Sequence, residues 1–342
     1  MSTRWITRHG GKSTGFRYVD AAGRPVRDRR TLARIEAMRI PPAWQDVHIA
    51  ASPRAQLQAW GIDARGRKQY RYHENAVRTR EARKYYRVRR LARDLPRIRD
   101  ALLRDLTRGT PRDRVAAAVV RLISKGFFRI GSERYVRENN TYGLVTLHKR
   151  HVRVAGDAIE FDYKGKSGKE QRHVVVDRAL ARFVARLLES PGTRLFRWRD
   201  DEGAWHDLGA RDVNDYLRRL TGVRYTAKDF RTWGGTVRVA TVLADLGPPA
   251  SEREAKQNVV TAIRLVAAEL GNTPAICRAS YVHPIVLARY VDEGETIALP
   301  RHPRPRRDRG GHYPEERALI RFLDRWFPER RRTLRPEMRV AA

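Results

Sequence analysis

The segment YYRVRRLARDLPRIRDALLRDL, residues 85–106, constrains the fold more than any other. Its apolar residues recur at helical spacing among arginines and aspartates, so it must form an amphipathic helix that buries one stripe. Proline lacks the N–H that a helix interior needs, so Pro96 is expected to kink or divide this helix. Helix formers dominate from about Glu74, which puts a domain boundary near Arg80.

Residues 1–80 read differently. The alternating GFRYVD, the helix-like TLARIEAM, the turn IPPAW, SPRAQLQAWG and the extended RKQYRYH describe a small mixed α/β domain with antiparallel strands. Residues 81–299 read as a mostly helical domain carrying a small antiparallel sheet. RDRVAAAVVRLISKGFF is a helix ending at Gly126. YGLVTL, HVRVAG and AIEFDYKGKSGKEQRHVVV then alternate like three or four antiparallel strands, with KGKSGK at a hairpin tip. Four helical patterns follow, the last with Val259, Ile263, Val266 and Leu270 on one face. Residues 300–342 open with the Pro/Arg/Gly-rich linker RHPRPRRDRGGH and end with a short amphipathic helix pattern, PEERALIRFLDRWFPER. The expected class is α+β.

Charge sets the partner. The 72 basic residues exceed the 39 acidic ones, giving a formal charge of +33 spread from Arg4 to Arg339. A polyanion is the expected ligand, with an affinity that falls steeply as salt rises. No apolar run approaches the length of a bilayer span, and the polar start MSTRWITRHGGKSTG lacks a signal peptide's apolar stretch. A cytoplasmic protein bound to nucleoid DNA is expected. The single cysteine, Cys277, excludes an intramolecular disulfide and a Cys-rich zinc site, and it is not read as a nucleophile.

Two attractive motifs fail. GGKST at residues 10–14 resembles a phosphate-binding loop, but Ile6 stands where the pattern needs its first glycine, and a preceding buried strand is not expected. The ten histidines show no metal-site spacing, and no acidic cluster resembles a two-metal nuclease. Neither a metal nor another cofactor is expected.

In LGNTPAICRASYVHP, Gly271 ends a helix, Thr273 can cap the next and Pro274 starts it, so Asn272 lies beside a helix N-terminus and Tyr281 about two turns further on. Such an N-terminus suits a phosphate oxygen. Arg231 follows Lys228 near another helix start, Arg129 comes directly after a helix, and Lys166 sits on the KGKSGK hairpin. RGRKQYRY interleaves Arg67 and Lys68 with Tyr70 and Tyr72, which a strand would send to one face.

Taken in chain order, Arg129, Lys166, Arg231, Asn272 and Tyr281 resemble the active site of the type IB DNA topoisomerases, in particular the compact poxvirus-like and bacterial branch. The blocks IPPAWQDV, ARGRKQYRYH, FFRIGSERYVRENNTYGLVTLHKRHV, KDFRTW and GNTPAICRASY carry that resemblance from residue 5 to about 290. It implies attack by Tyr281 on a DNA phosphate, a 3′-phosphotyrosyl link, rotation of the free 5′ strand inside a two-lobed clamp, and religation without ATP. Arg129 and Arg231 would hold phosphate oxygens and Lys166 would act as general acid. Tyr135, with Arg67, Lys68, Tyr70, Tyr72 and Lys228, would touch DNA. Many relatives carry histidine where this chain has Asn272; an amide can donate a hydrogen bond there but cannot shuttle a proton. A monomer clamping double-stranded DNA is expected. The rivals are a tyrosine recombinase, which usually has histidine at the place of Lys228, and a DNA-binding protein that has lost catalysis.

Overall fold

A computed structural model describes residues 4–300 and 311–327. The chain divides into two compact units, Met1–Lys84 and Tyr85–Ala342. The linker residues 301–310 and the end of the chain from residue 328 lie outside the described residues.

The first unit is built on strands β1 (Trp5–Gly11), β2 (Gly15–Val19), β3 (Gln45–Ala50), β4 (Leu57–Ile62) and β5 (Lys68–Tyr72), with helix α1 (Arg29–Ala37) between β2 and β3. All neighbours are antiparallel, in the order β2-β1-β3-β4-β5. Ile6, Val47, Ile49 and Ala59 alternate inward with strand period and bury against Ile35 of α1. GGKST forms the β1–β2 turn, where Gly11 N–H donates to Thr14 Oγ1 at 3.0 Å. A strand does precede it, but only Ile6 of that strand is buried, and the loop leads into a second strand and not into the helix a phosphate loop needs.

The second unit is mostly helical. After α2 (Glu74–Arg108), inside which the unit boundary falls, come α3 (Pro111–Gly126), α4 (Glu133–Asn139), strands β6 (Val152–Ala155), β7 (Ala158–Lys164) and β8 (Glu170–Val176), α5 (Arg178–Glu189), a two-stranded ribbon of β9 (Arg197–Arg199) and β10 (Trp205–Asp207), and α6 (Ala210–Thr221). Then follow α7 (Ala227–Leu246), α8 (Glu252–Glu269), α9 (Pro274–Tyr281), α10 (Pro284–Glu293) and α11 (Pro314–Trp326). Every residue of α3 from Val115 to Ile123 is buried, as expected of a helix apolar on all sides. Arg121, inside that run, is held by Asp177 at 2.6 Å. No helix among the described residues is long and apolar enough to cross a membrane.

One sequence expectation needs correction, and a second is narrowed. YGLVTL is not a strand: Leu144–Thr146 is a 3₁₀ turn, and the sheet has three strands in the order β6-β7-β8. The backbone bonds of this segment go instead to the chain after α3, Leu144 N–H to Arg129 O and Val145 N–H to Ile130 O, both at 2.8 Å. Of the two outcomes expected at Pro96, division is excluded, because α2 continues through it. The acceptor that Pro96 leaves without its helical donor is Ala92 O, and His312 Nε2 donates to it at 2.7 Å.

That bond is one of several fixing α11 against α2. Arg99 makes a two-pronged pair with Glu316 at 2.8 Å and donates to Gly311 O at 2.7 Å. Arg89 grips Asp324 and Phe327 O at the other end. Glu316 also accepts from Trp233 Nε1 at 3.2 Å, which links α11 to α7 two residues beyond Arg231. We expect Glu316→Ala to cost about 3–5 kcal/mol in urea unfolding, because it strands the Arg99 charge in a largely buried place. His312→Ala should cost about 1–3 kcal/mol by leaving a buried carbonyl unmatched.

Candidate active site

Helix α3 ends where Phe127 takes a left-handed conformation, φ 52° and ψ 33°. This is uncommon for a bulky residue. Its ring lies against Gly234 of α7, where any Cβ would clash with it, and its carbonyl accepts from Arg231 Nη1. Arg231 Nη2 donates to Leu270 O at 2.8 Å. Arg129 Nη2 donates to Gly271 O at 2.7 Å and to Asn272 Oδ1 at 2.6 Å.

Carbonyl and amide oxygens thus orient both guanidinium groups, and neither forms an ion pair among the described residues. Neighbouring arginines do: Arg87 pairs with Asp229 at 2.8 Å, as Arg121 does with Asp177. Burial, and then the Arg129 charge, hold the Arg231 pKa below the usual arginine value. Two cations left un-neutralised in a partly dry setting favour an anion between them.

Tyr281 is the last residue of α9, and its ring centroid lies 5.0 Å from the Arg231 guanidinium carbon. Its backbone is fixed from α7. Thr236 Oγ1 donates to Thr232 O at 2.7 Å, approaches Tyr281 O at 3.4 Å and accepts from His283 N–H at 3.1 Å. Tyr85 Oη donates to Val282 O at 2.8 Å. Gly235 permits this approach, since a Cβ there would lie 2.8 Å from Tyr281 O. The start of α7 is set in turn by Asp229, which accepts from Thr226 N–H at 2.9 Å in a capping box.

Asn272 occupies the turn between α8 and α9, where Thr273 caps α9 through Ile276 N–H and Pro274 is its first residue. Because Asn272 Oδ1 accepts from Arg129, the amide nitrogen Nδ2 is the free end, and it is buried without an acceptor among the described residues. Arg231 Nε is in the same position. These four side chains come together; Lys166 does not join them. It stands exposed in the turn between β7 and β8 and forms no hydrogen bond or ion pair among the described residues.

The remaining sequence candidates are surface groups. Tyr70 and Tyr72 share one face of β5, with ring centroids 6.1 Å apart and exposures of 44% and 37%. Lys68 Nζ lies 3.4 Å from the Trp60 ring centroid, while Arg67 is tied to Asp63 at 2.7 Å and stiffens the β4–β5 turn. Tyr135 on α4 and Lys228 in the first turn of α7 are exposed.

Sequence reasoning missed Gly234, Gly235 and His173. His173 of β8 packs on Phe128, with ring centroids 4.5 Å apart, near Tyr163. Burial, helped by the Arg231 and Arg129 charges, lowers its pKa to about 4. In the unfolded chain an imidazole takes up its proton near ~6.5. Unfolding therefore binds a proton between those values, and native stability is lost as pH falls from about 6.5 towards 4. Urea midpoints measured across that range should fall less for His173→Gln than for the native chain.

The sequence matches the family described as "Eukaryotic DNA topoisomerase I, catalytic core" over residues 68–298 and "Bacterial DNA topoisomerase IB, N-terminal domain" over residues 15–63. It is 31% identical over 276 residues to the DNA topoisomerase 1B of Acanthamoeba polyphaga mimivirus, covering 78% of this chain and 82% of that one. With the DNA topoisomerase 1B of vaccinia virus (strain Copenhagen) it shares 26% identity over 242 residues, 68% of this chain and 72% of the other. These matches take in most of the strand-rich first unit, from residue 15 on, and every residue of the arginine–tyrosine cluster, and on them the chain belongs to the type IB DNA topoisomerases.

Proposed function

We propose that this topoisomerase relaxes supercoiled DNA by a metal- and ATP-independent transesterification at Tyr281. The observation that carries the reading is the convergence of two un-neutralised guanidinium groups and two buried, unmatched N–H donors, Arg231 Nε and Asn272 Nδ2, beside that tyrosine.

A free phenol has a pKa near ~10 and is only about one part in a thousand ionised at neutral pH. Attack on phosphorus therefore needs cations that favour the phenolate and the doubly charged five-coordinate transition state. Arg129 and Arg231 supply them as fixed forks, and because guanidinium does not give up its proton they clamp without shuttling. Tyr281 Oη bonds to phosphorus as the P–O5′ bond breaks; the phenolic proton goes to solvent and the departing 5′ oxygen takes one from Lys166. The ester energy is kept in the 3′-phosphotyrosyl link, so the reverse attack by the 5′ hydroxyl reseals the strand after it has rotated.

Lys68, Tyr70 and Tyr72 on one unit, and Tyr135 and Lys228 on the other, suit phosphate and groove contacts. Arg67, although tied to Asp63, remains exposed enough to face a phosphate as well. One chain carries every group the reaction uses, so a monomer suffices, working in the cytoplasm on nucleoid DNA.

Relaxation of negatively supercoiled plasmid in EDTA without ATP tests the reading: the native chain should relax it and Tyr281→Phe should not. Relaxation by both would remove Tyr281 from the chemistry. A recombinase would leave a plasmid without its paired sites untouched. Asn272→Ala should slow single-turnover cleavage by about 10² to 10³, the usual loss for an oxyanion donor, while Asn272→His keeps a donor and should be tolerated. Lys166→Ala should slow cleavage of an ordinary phosphodiester by about 10² to 10⁴. A substrate with sulfur at the 5′ bridging position should restore most of that rate, because a thiol with a pKa near ~8.5 leaves without an acid.

A further inference from the structure

One buried side chain touches the turns of both Lys166 and Asn272. Gln171 lies on β8 opposite Tyr163 and is 8% exposed. On one side it meets Gly165, the residue before Lys166, where a Cβ would fall 2.5 Å from Gln171 Cγ. On the other it meets Gly271, the residue before Asn272, where a Cβ would fall 2.5 Å from Gln171 Oε1. Gln171 Nε2 donates to Glu170 O at 2.9 Å, which turns Oε1 towards Gly271.

The two turns are otherwise secured separately. Gly165 N–H donates to Lys169 O and Tyr142 N–H to Lys164 O, both at 2.8 Å, at the base of the hairpin. Asn272 N–H donates to Ala267 O at 2.8 Å, and Gly271 O accepts from Arg129 at 2.7 Å. The Gln171 side chain is wedged against both glycines at once, with no slack on either side for a methyl group.

We propose that Gln171 is a positioning residue whose length sets the spacing between the Lys166 hairpin and the Gly271–Asn272 turn. Through that spacing it fixes how closely the Lys166 ammonium approaches the departing 5′ oxygen of a phosphate held beside Arg129 and Asn272. The proposal rests on the reading of Lys166 as general acid. A misplacement of about 1 Å in a reacting geometry costs on the order of 10²-fold in rate, so a shortened side chain at this point should be felt in the proton transfer.

The test is single-turnover cleavage of two duplexes, one with an ordinary phosphodiester and one with sulfur at the 5′ bridging position, using the full chain. Gln171→Ala should cleave the ordinary duplex roughly 10- to 100-fold more slowly yet cleave the sulfur duplex at close to the native rate. Gln171→Met, which keeps the reach but not the amide, should restore cleavage of the ordinary duplex. Gln171→Asn, which keeps the amide but not the reach, should not, and this pair decides the matter if the alanine variant fails to fold. Native rates for Gln171→Ala on the ordinary duplex, an equal loss on both duplexes, or rescue by asparagine alone would each overturn the proposal. Lys166→Ala, run alongside, separates the two readings. If sulfur does not restore its rate, the assignment of Lys166 itself fails; if it does, any failure belongs to Gln171.

Discussion

Main-chain carbonyls, not carboxylates, hold the two arginines of the site, and much of the second unit is arranged around that choice. A carboxylate partner would orient a guanidinium equally well but would cancel the charge an incoming phosphate needs. The carbonyls of Phe127, Leu270 and Gly271 orient without cancelling. Each lies at the end of an element: Phe127 just after α3, Leu270 and Gly271 just after α8. Helix C-termini leave carbonyls without intrahelical donors, so the ends of two helices are natural cradles for cations. The left-handed Phe127 is the local strain that accompanies this arrangement at the proposed site.

Helix α7 is the frame against which the rest is set. Its first turn is fixed by Asp229 and Arg87, and it then presents Arg231, Gly234, Gly235 and Thr236 in succession to the chain around Phe127 and Tyr281. Two adjacent glycines weaken a helix intrinsically, by about 1 kcal/mol each relative to alanine. They are retained where the Phe127 ring and the Tyr281 backbone approach too closely for any side chain. Helix α11 reaches the same frame through Glu316 and Trp233, while the chain just before it supplies His312 to the acceptor that Pro96 leaves open. The end of the described chain is therefore structural support for α2 and α7, and its amphipathic pattern is explained by burial of Ala318, Leu319, Phe322 and Leu323.

The sequence by itself determined the α+β class, the order of helices from α5 to α9 and the capped turn at Thr273–Pro274, and it pointed to the five side chains proposed as catalytic. These are legible because they rest on local physics: hydrophobic period, N-cap chemistry, and ordered blocks similar to those of a known family. Tertiary structure decided what local rules cannot reach. YGLVTL has the composition of a strand, yet its backbone donors are taken by Arg129 and Ile130 after a distant helix has ended. Pro96 should kink or divide α2 on local grounds, but the helix continues through it, and a histidine more than two hundred residues later supplies a donor to the buried carbonyl it leaves open. The roles of Gly235, His173 and Gln171 were equally invisible, since each depends on what approaches it through space. Long-range contacts alone decide which carbonyls face Arg129 and Arg231, and so why these two positive charges stay un-neutralised among the described residues.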